Sequence, residues 1–344
     1  MFGLSSTAEL ASTVGAYSNN LSVFYYEPKF ITYVAVCGKN QINFLQWDSK
    51  FELMKSEEII LKDKDTGSTI TAIQCKICAP ADRNLPVLVV TSVDNIRIFD
   101  VKDLKLLISV ALEKPPEVFD NDESDELPPD FNCEWYKLSR GITCVDNNIL
   151  VGMDNGEIMF FACNGESTIS IKKPLVEHKA PIISMATCIY DNITVSADVE
   201  GVVNVWGRSL KQVTKKISTA QCISVINILR KHALCGTYRG QILMFNVLTG
   251  ELMAEVTAHA REITSISVAP ESAYMLTGSH DGNICIWKLH ARKPEAFGVD
   301  FRHCEKVSNK LITSAQFANG RGNCFIASFF DCNKLNIYRI AKKS

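Results

Sequence analysis

Two stretches of the chain repeat one another at a constant offset. His178, Ser196, Glu200 and Trp206 map onto His259, Thr277, Asp281 and Trp287, and 259−178, 277−196, 281−200 and 287−206 all equal 81. Each copy reads as short apolar runs broken by turn residues: His178–Ala186, Asn192–Gly201 and Val202–Trp206 in one, Ala258–Pro270, Tyr274–Gly282 and Asn283–Leu289 in the other. Between them lies a unit that keeps the runs, Ala233–Gly240 and Gln241–Phe245, and lacks the polar residues. Two units in 81 residues give a period of about 40, which is that of a four-stranded propeller blade. A β-sandwich offers no reason for such an interval.

Weaker copies extend the array in both directions. The bulky residue closing each third strand serves as a marker: Leu45, Phe99, Phe161, Trp206, Phe245, Trp287 and Tyr338. Seven units of about 42 residues occupy about 294 positions, which leaves about 50 for insertions. Runs such as Val87–Val90 and Ile158–Phe161 are apolar on both faces, as a sheet sandwiched between two neighbours requires. The expected fold is all-β, a seven-bladed β-propeller forming a single domain over residues 1–344. Such a ring must close, because an unpaired edge exposes backbone donors and acceptors. The last unit stops after its third strand, Leu335–Ile340, so residues from about Leu4 to Val14 are expected to supply the missing fourth.

Charge and cysteine usage narrow the function classes. Thirty-six basic and 38 acidic side chains give a formal net charge of −2, without the basic footprint of a nucleic-acid binder. No apolar run approaches membrane-spanning length, and the first basic residue is Lys29, so neither membrane insertion nor a leader peptide is expected. The 13 cysteines sit mostly inside apolar runs, where a thiol behaves as a small hydrophobe, and the expected setting is cytoplasmic. Cys75 and Cys78 have CxxC spacing, but on a strand they point to opposite faces, and no metal or cofactor is expected. The net charge conceals a polarised layout. The stretch 113–130 holds eight acids, one lysine and four prolines, contributing −7, so the rest of the chain sums to +5. It reads as an inserted loop, with a docking tail around Val118 and Phe119 and a phosphorylation site at Ser124 as its functional reading. The basic residues Arg208, Lys211, Lys215 and Lys216 read as a solvated strand edge.

The repeated residues resemble those of the WD-repeat family, and the resemblance covers essentially the whole chain, although only two units keep the full polar signature. The resemblance implies a docking platform for other proteins, without catalytic activity. It implies that His178, Ser196, Glu200 and Trp206, and likewise His259, Thr277, Asp281 and Trp287, form buried hydrogen-bonded tetrads, with Glu200 standing where Asp is usual. Their resemblance to a hydrolase triad is then superficial. It also implies interaction sites at the narrower end of the disc, near the residue before the turn acid and three and five residues after the loop His. Those positions are Val199, Pro181 and Ile183 in blade four, and His280, Glu262 and Thr264 in blade six. The blade-five turn carries Tyr238 and Arg239, residue types enriched in interface hot spots. The competing reading is a propeller enzyme or a binder of small ligands or anionic peptides at the central channel, with Asp154, Asp198 and His280 as its nearest polar groups.

Overall fold

A computed structural model describes residues 2–48, 50, 52–63, 66–112, 139–188, 190–291 and 297–340. The inserted segment 113–130, with Val118, Phe119 and Ser124, lies outside them.

The described strands form seven four-stranded antiparallel sheets. Six sheets are consecutive meanders, as in Ile182–Cys188, Ile193–Asp198, Val202–Trp206 and Val213–Ser218 of blade four. The third strands begin at Gln41, Asn95, Glu157, Val202, Gln241, Asn283 and Lys334. The fifth residue of each is the marker named above, and all seven markers are buried. The apolar runs are explained by where the core sits. Seven separate clusters of buried side chains lie one at each blade interface. Cys188, Val195 and Val205 of blade four, for example, pack on Ile226, Ala233 and Leu243 of blade five. Each sheet is therefore buried on two faces, and polar–apolar alternation is confined to outer strands such as Leu53–Ile60 and Val213–Ser218.

The seventh sheet joins the two ends of the chain. Phe2–Glu9 pairs antiparallel with Lys334–Ile340, from Phe2 opposite Ile340 to Glu9 opposite Lys334. The closing strand is thus shorter and earlier than the expected span from Leu4 to Val14. Beyond it, Leu10 and Val14 donate backbone bonds to Asn333 and Cys332, and Val14 also bridges to Gly38 of blade one. Residues 10–14 are a clasp between the last blade and the first.

One irregularity recurs around the ring. In blades two to seven the inner strand slips register at its second residue, which leaves Ile73, Gly141, Ile183, Ser224, Thr264 and Thr313 unpaired. A bulge of this kind re-aims side chains, and here it stands where each inner strand enters the central channel.

Candidate docking face and channel mouth

In blade six, His259 lies on the loop entering the inner strand. Its Nδ1 is 3.1 Å from Asp281 Oδ2, its Nε2 is 2.8 Å from Thr277 Oγ1, and Trp287 Nε1 donates to the same hydroxyl at 3.1 Å. An indole only donates and a carboxylate only accepts. The proton order follows: Nδ1–H to the carboxylate, the hydroxyl to Nε2, the indole to the hydroxyl oxygen. Burial lowers the His259 pKa against the pull of Asp281. Burial also works against the Asp281 carboxylate, but the backbone N–H groups of Ala260 and Asn283 outweigh it and hold its pKa below the ordinary value.

Blade four carries the same relay with one change. His178 Nε2 lies 2.7 Å from Ser196 Oγ and Trp206 Nε1 donates to that oxygen at 2.9 Å, but Nδ1 meets Asp198 Oδ2 at 2.8 Å. Glu200, expected to be the turn acid, is exposed and contributes only its backbone N–H, which Asp198 Oδ1 accepts at 3.1 Å together with that of Val202 at 2.9 Å. Asp198 ends its strand, so its short side chain turns back over the hairpin. Gly201, at φ +84°, allows that tight turn. With the serine buried and saturated by two partners, neither constellation presents a nucleophile to solvent. Among the described residues no cluster of His, Cys, Asp and Glu is arranged to hold a metal ion.

The expected docking residues divide. A backbone bond ties the residue before each turn to the start of the inner strand: Val199 to Pro181, Tyr238 to Cys222 and His280 to Glu262, and equally Val93 to Thr71 and Phe330 to Leu311. These pairs form a rim around one end of the disc. Pro181, Tyr238 and Arg239 are exposed, and Val199, Glu262 and His280 are half-buried. Thr264 is not at the surface. It is 0% exposed, and its hydroxyl donates to the Gly278 carbonyl at 3.1 Å; Ile183 is 8% exposed and packs in the core between blades four and five. Both are bulge residues, turned inward by the register slip. Sequence reasoning missed Leu311 and Phe330 of blade seven, 41% and 45% exposed, which stand on the rim as exposed apolar residues like Tyr238 of blade five at 44%. The spacing that located Tyr238 would have found them.

Inside the rim, a cavity of about 220 Å³ opens at the channel mouth. Bulge residues Ile73, Ile183 and Ser224 line it with Tyr17, Gln74, Arg140, Tyr238, Glu262 and His280. Gly141 sets Arg140 in place: at φ +78° it runs so close to blade four that a Cβ would meet Ser184 and Met185 backbone at 2.9 Å. Gln74 locks the same spot, its Oε1 accepting the Gly141 N–H at 2.8 Å. Of the other channel candidates, Asp198 is committed to His178, and His280 faces Glu262 at 3.5 Å. Burial and then the charge of Glu262 push the Tyr238 phenol up, while Arg140 opposes them.

The CxxC cysteines face different neighbours, Cys75 against Cys37 of blade one and Cys78 against Cys144 of blade three, and all are free thiols. Of the basic edge, Arg208 pairs with Asp146 and Lys216 with Glu177.

Seven blades, a ring closed by the N-terminal strand and two indole-terminated relays define a WD-repeat β-propeller. A chain of the crystal structure of a mitotic checkpoint complex shares the fold, with a TM-score of 0.72 over 98% of this chain and 92% of that one at 13% identity. The family model WDR54 matches residues 1–341, and the chain belongs to that family. WD repeat-containing protein 54 of Mus musculus and of Homo sapiens are each 25% identical to it over 343 residues, 96% of this chain and 97% of theirs. Striatin of Homo sapiens matches a 44-residue stretch at 39% identity, 13% of this chain and 6% of striatin.

Proposed function

We propose that this protein is a non-enzymatic scaffold that docks other proteins on the end of the disc surrounding the channel mouth. The observation that carries this reading is the set of exposed rim residues Tyr238 and Arg239 of blade five and Leu311 and Phe330 of blade seven, held on turns between buried strands. Interfaces draw most of their energy from such aromatic and arginine anchors. Function sited on loops above a rigid frame is the usual arrangement in propellers. The family membership supports the same class of activity, and the saturated relays account for the His, Ser and Asp residues as structural. A cytoplasmic setting belongs to the proposal, supported by twelve described cysteines, all free and most buried. The acidic segment 113–130 is proposed as a secondary contact for basic partners.

Affinity capture with the wild-type chain, a Tyr238→Ala/Arg239→Ala variant and a Leu311→Ser/Phe330→Ser variant tests the docking face. Partners held by wild type are expected to be lost from both variants, with melting temperatures unchanged. Identical partner sets in all three would sink the assignment to this face.

A further inference from the structure

The channel mouth holds an arginine and a carboxylate that do not satisfy each other. Glu262 is engaged: it accepts the Ser18 hydroxyl at 3.2 Å and faces His280 Nδ1 at 3.5 Å. Arg140 is not. Its guanidinium lies over the Tyr17 ring, 5.2 Å from the centroid, while its Nε is buried and, among the described residues, has no hydrogen-bond partner. A buried, unpaired donor on a cation is costly unless something supplies an acceptor. The nearby amide does not supply it: Gln74 is held by the Gly141 N–H and the Asn19 carbonyl, and makes no hydrogen bond with Arg140 among the described residues.

The surroundings define what would fit. The Tyr17 ring sits against the guanidinium, whose planar fork matches a carboxylate with two parallel N–H bonds. Asn19 and Gln74 also line a narrower cavity of about 40 Å³ further down the channel, whose other polar residues include Lys76 and Asn227. The descending wall therefore adds a second basic side chain and no acid. Glu262 stays at the rim, where it disfavours a doubly charged phosphate more than a singly charged carboxylate. At about 220 Å³ the mouth is smaller than the roughly 300–1,000 Å³ of small-molecule sites, a size suited to one inserted side chain.

We propose that the channel mouth is a receptor for the Glu or Asp side chain of a docked partner segment, with Arg140 as its bidentate anchor and Tyr17 and Tyr238 as its walls. The assignment rests on the docking reading above and adds the chemistry of the bound residue. It places the specificity of the platform in the channel and its contact area on the rim residues Tyr238, Leu311 and Phe330.

The test is an array of decapeptides of varied sequence, each printed with Glu, Gln or phosphoserine at its centre, probed with the purified full chain. Binding to Glu peptides is expected to exceed binding to their Gln twins by roughly 10- to 100-fold, the effect of a charge-assisted bidentate hydrogen bond. The preference should vanish in Arg140→Met and weaken in Arg140→Lys, which keeps the charge and loses the fork. The Glu-to-Gln comparison alters only the peptide, so it holds even if an arginine variant folds poorly. Three results would overturn the proposal: no Glu-dependent binder, a Glu preference retained in Arg140→Met, or phosphoserine outcompeting Glu. Peptides that ignore the Glu-to-Gln change yet are lost from the Leu311→Ser/Phe330→Ser variant would overturn the carboxylate receptor alone and leave the docking face standing.

Discussion

Blades four and six solve one problem with the acid in two places. In blade six two residues share the work: Ser279 Oγ accepts the Asp281 N–H at 3.2 Å, and Asp281 receives His259 and the Asn283 N–H. In blade four Asp198, at the position of Ser279 (198+81), accepts both the Glu200 and Val202 N–H groups and also receives His178. One carboxylate does both jobs, and Glu200, at the position of Asp281, is released to solvent. The requirement that survives between the blades is an acceptor for the imidazole and acceptors for the turn, and the residue that meets it can change.

Removing the doubly used residue should cost most. Asp198→Ala strands a buried imidazole N–H and two turn N–H groups, and a loss of about 3 kcal/mol is expected in urea unfolding. Asp281→Ala acts at a more accessible carboxylate and leaves Ser279 in place, so about 2 kcal/mol is expected. Recasting blade four in the blade-six pattern, as Asp198→Ser/Glu200→Asp, should bring stability back to within about 1 kcal/mol of wild type. A double variant no more stable than Asp198→Ser alone would show that the two arrangements are not interchangeable. Acid should expose the relay in blade six. The folded pKa of His259 lies below the ordinary 6.5, so below about pH 6.5 the unfolded chain takes up a proton that the native chain refuses, and stability is lost as the pH drops. Asp281, depressed in the fold, adds a loss of the same sign at still lower pH. Melting curves from pH 7 to 5 should fall less steeply for His259→Gln than for wild type, and equal slopes would contradict this origin. The smallest effect is expected from Glu200→Ala, within about 0.5 kcal/mol of wild type.

The fold was legible because it is written seven times. A marker five residues into each third strand and strand runs apolar on both faces are local facts that a blade imposes on its own sequence. Rim position was legible only where a backbone turn alone decides it, as at the exposed Tyr238 and Arg239. Asp198 and Glu200 are both acids within one turn, and choosing between them depends on the strand ending at Asp198, not on residue type. Thr264 and Ile183 were displaced for a related reason, since a one-residue register slip sends the side chain inward and no single unit announces it. Arg140 stood out by no motif. Its importance comes from Tyr17, Gln74 and Glu262, which are far apart in sequence and meet only when the ring is closed.

That closure also sets a timetable. Phe2 pairs with Ile340, 338 positions later (340−2). On a ribosome adding about 5–20 residues per second, the first strand would wait roughly 20–70 s for its partner. Blade one, complete by Ile60, spends most of that interval with an uncovered face meant for blade seven. A chain built this way is most vulnerable to wrong partners while it is being made, when the strand that will seal it is already outside and the edge it must cover does not yet exist.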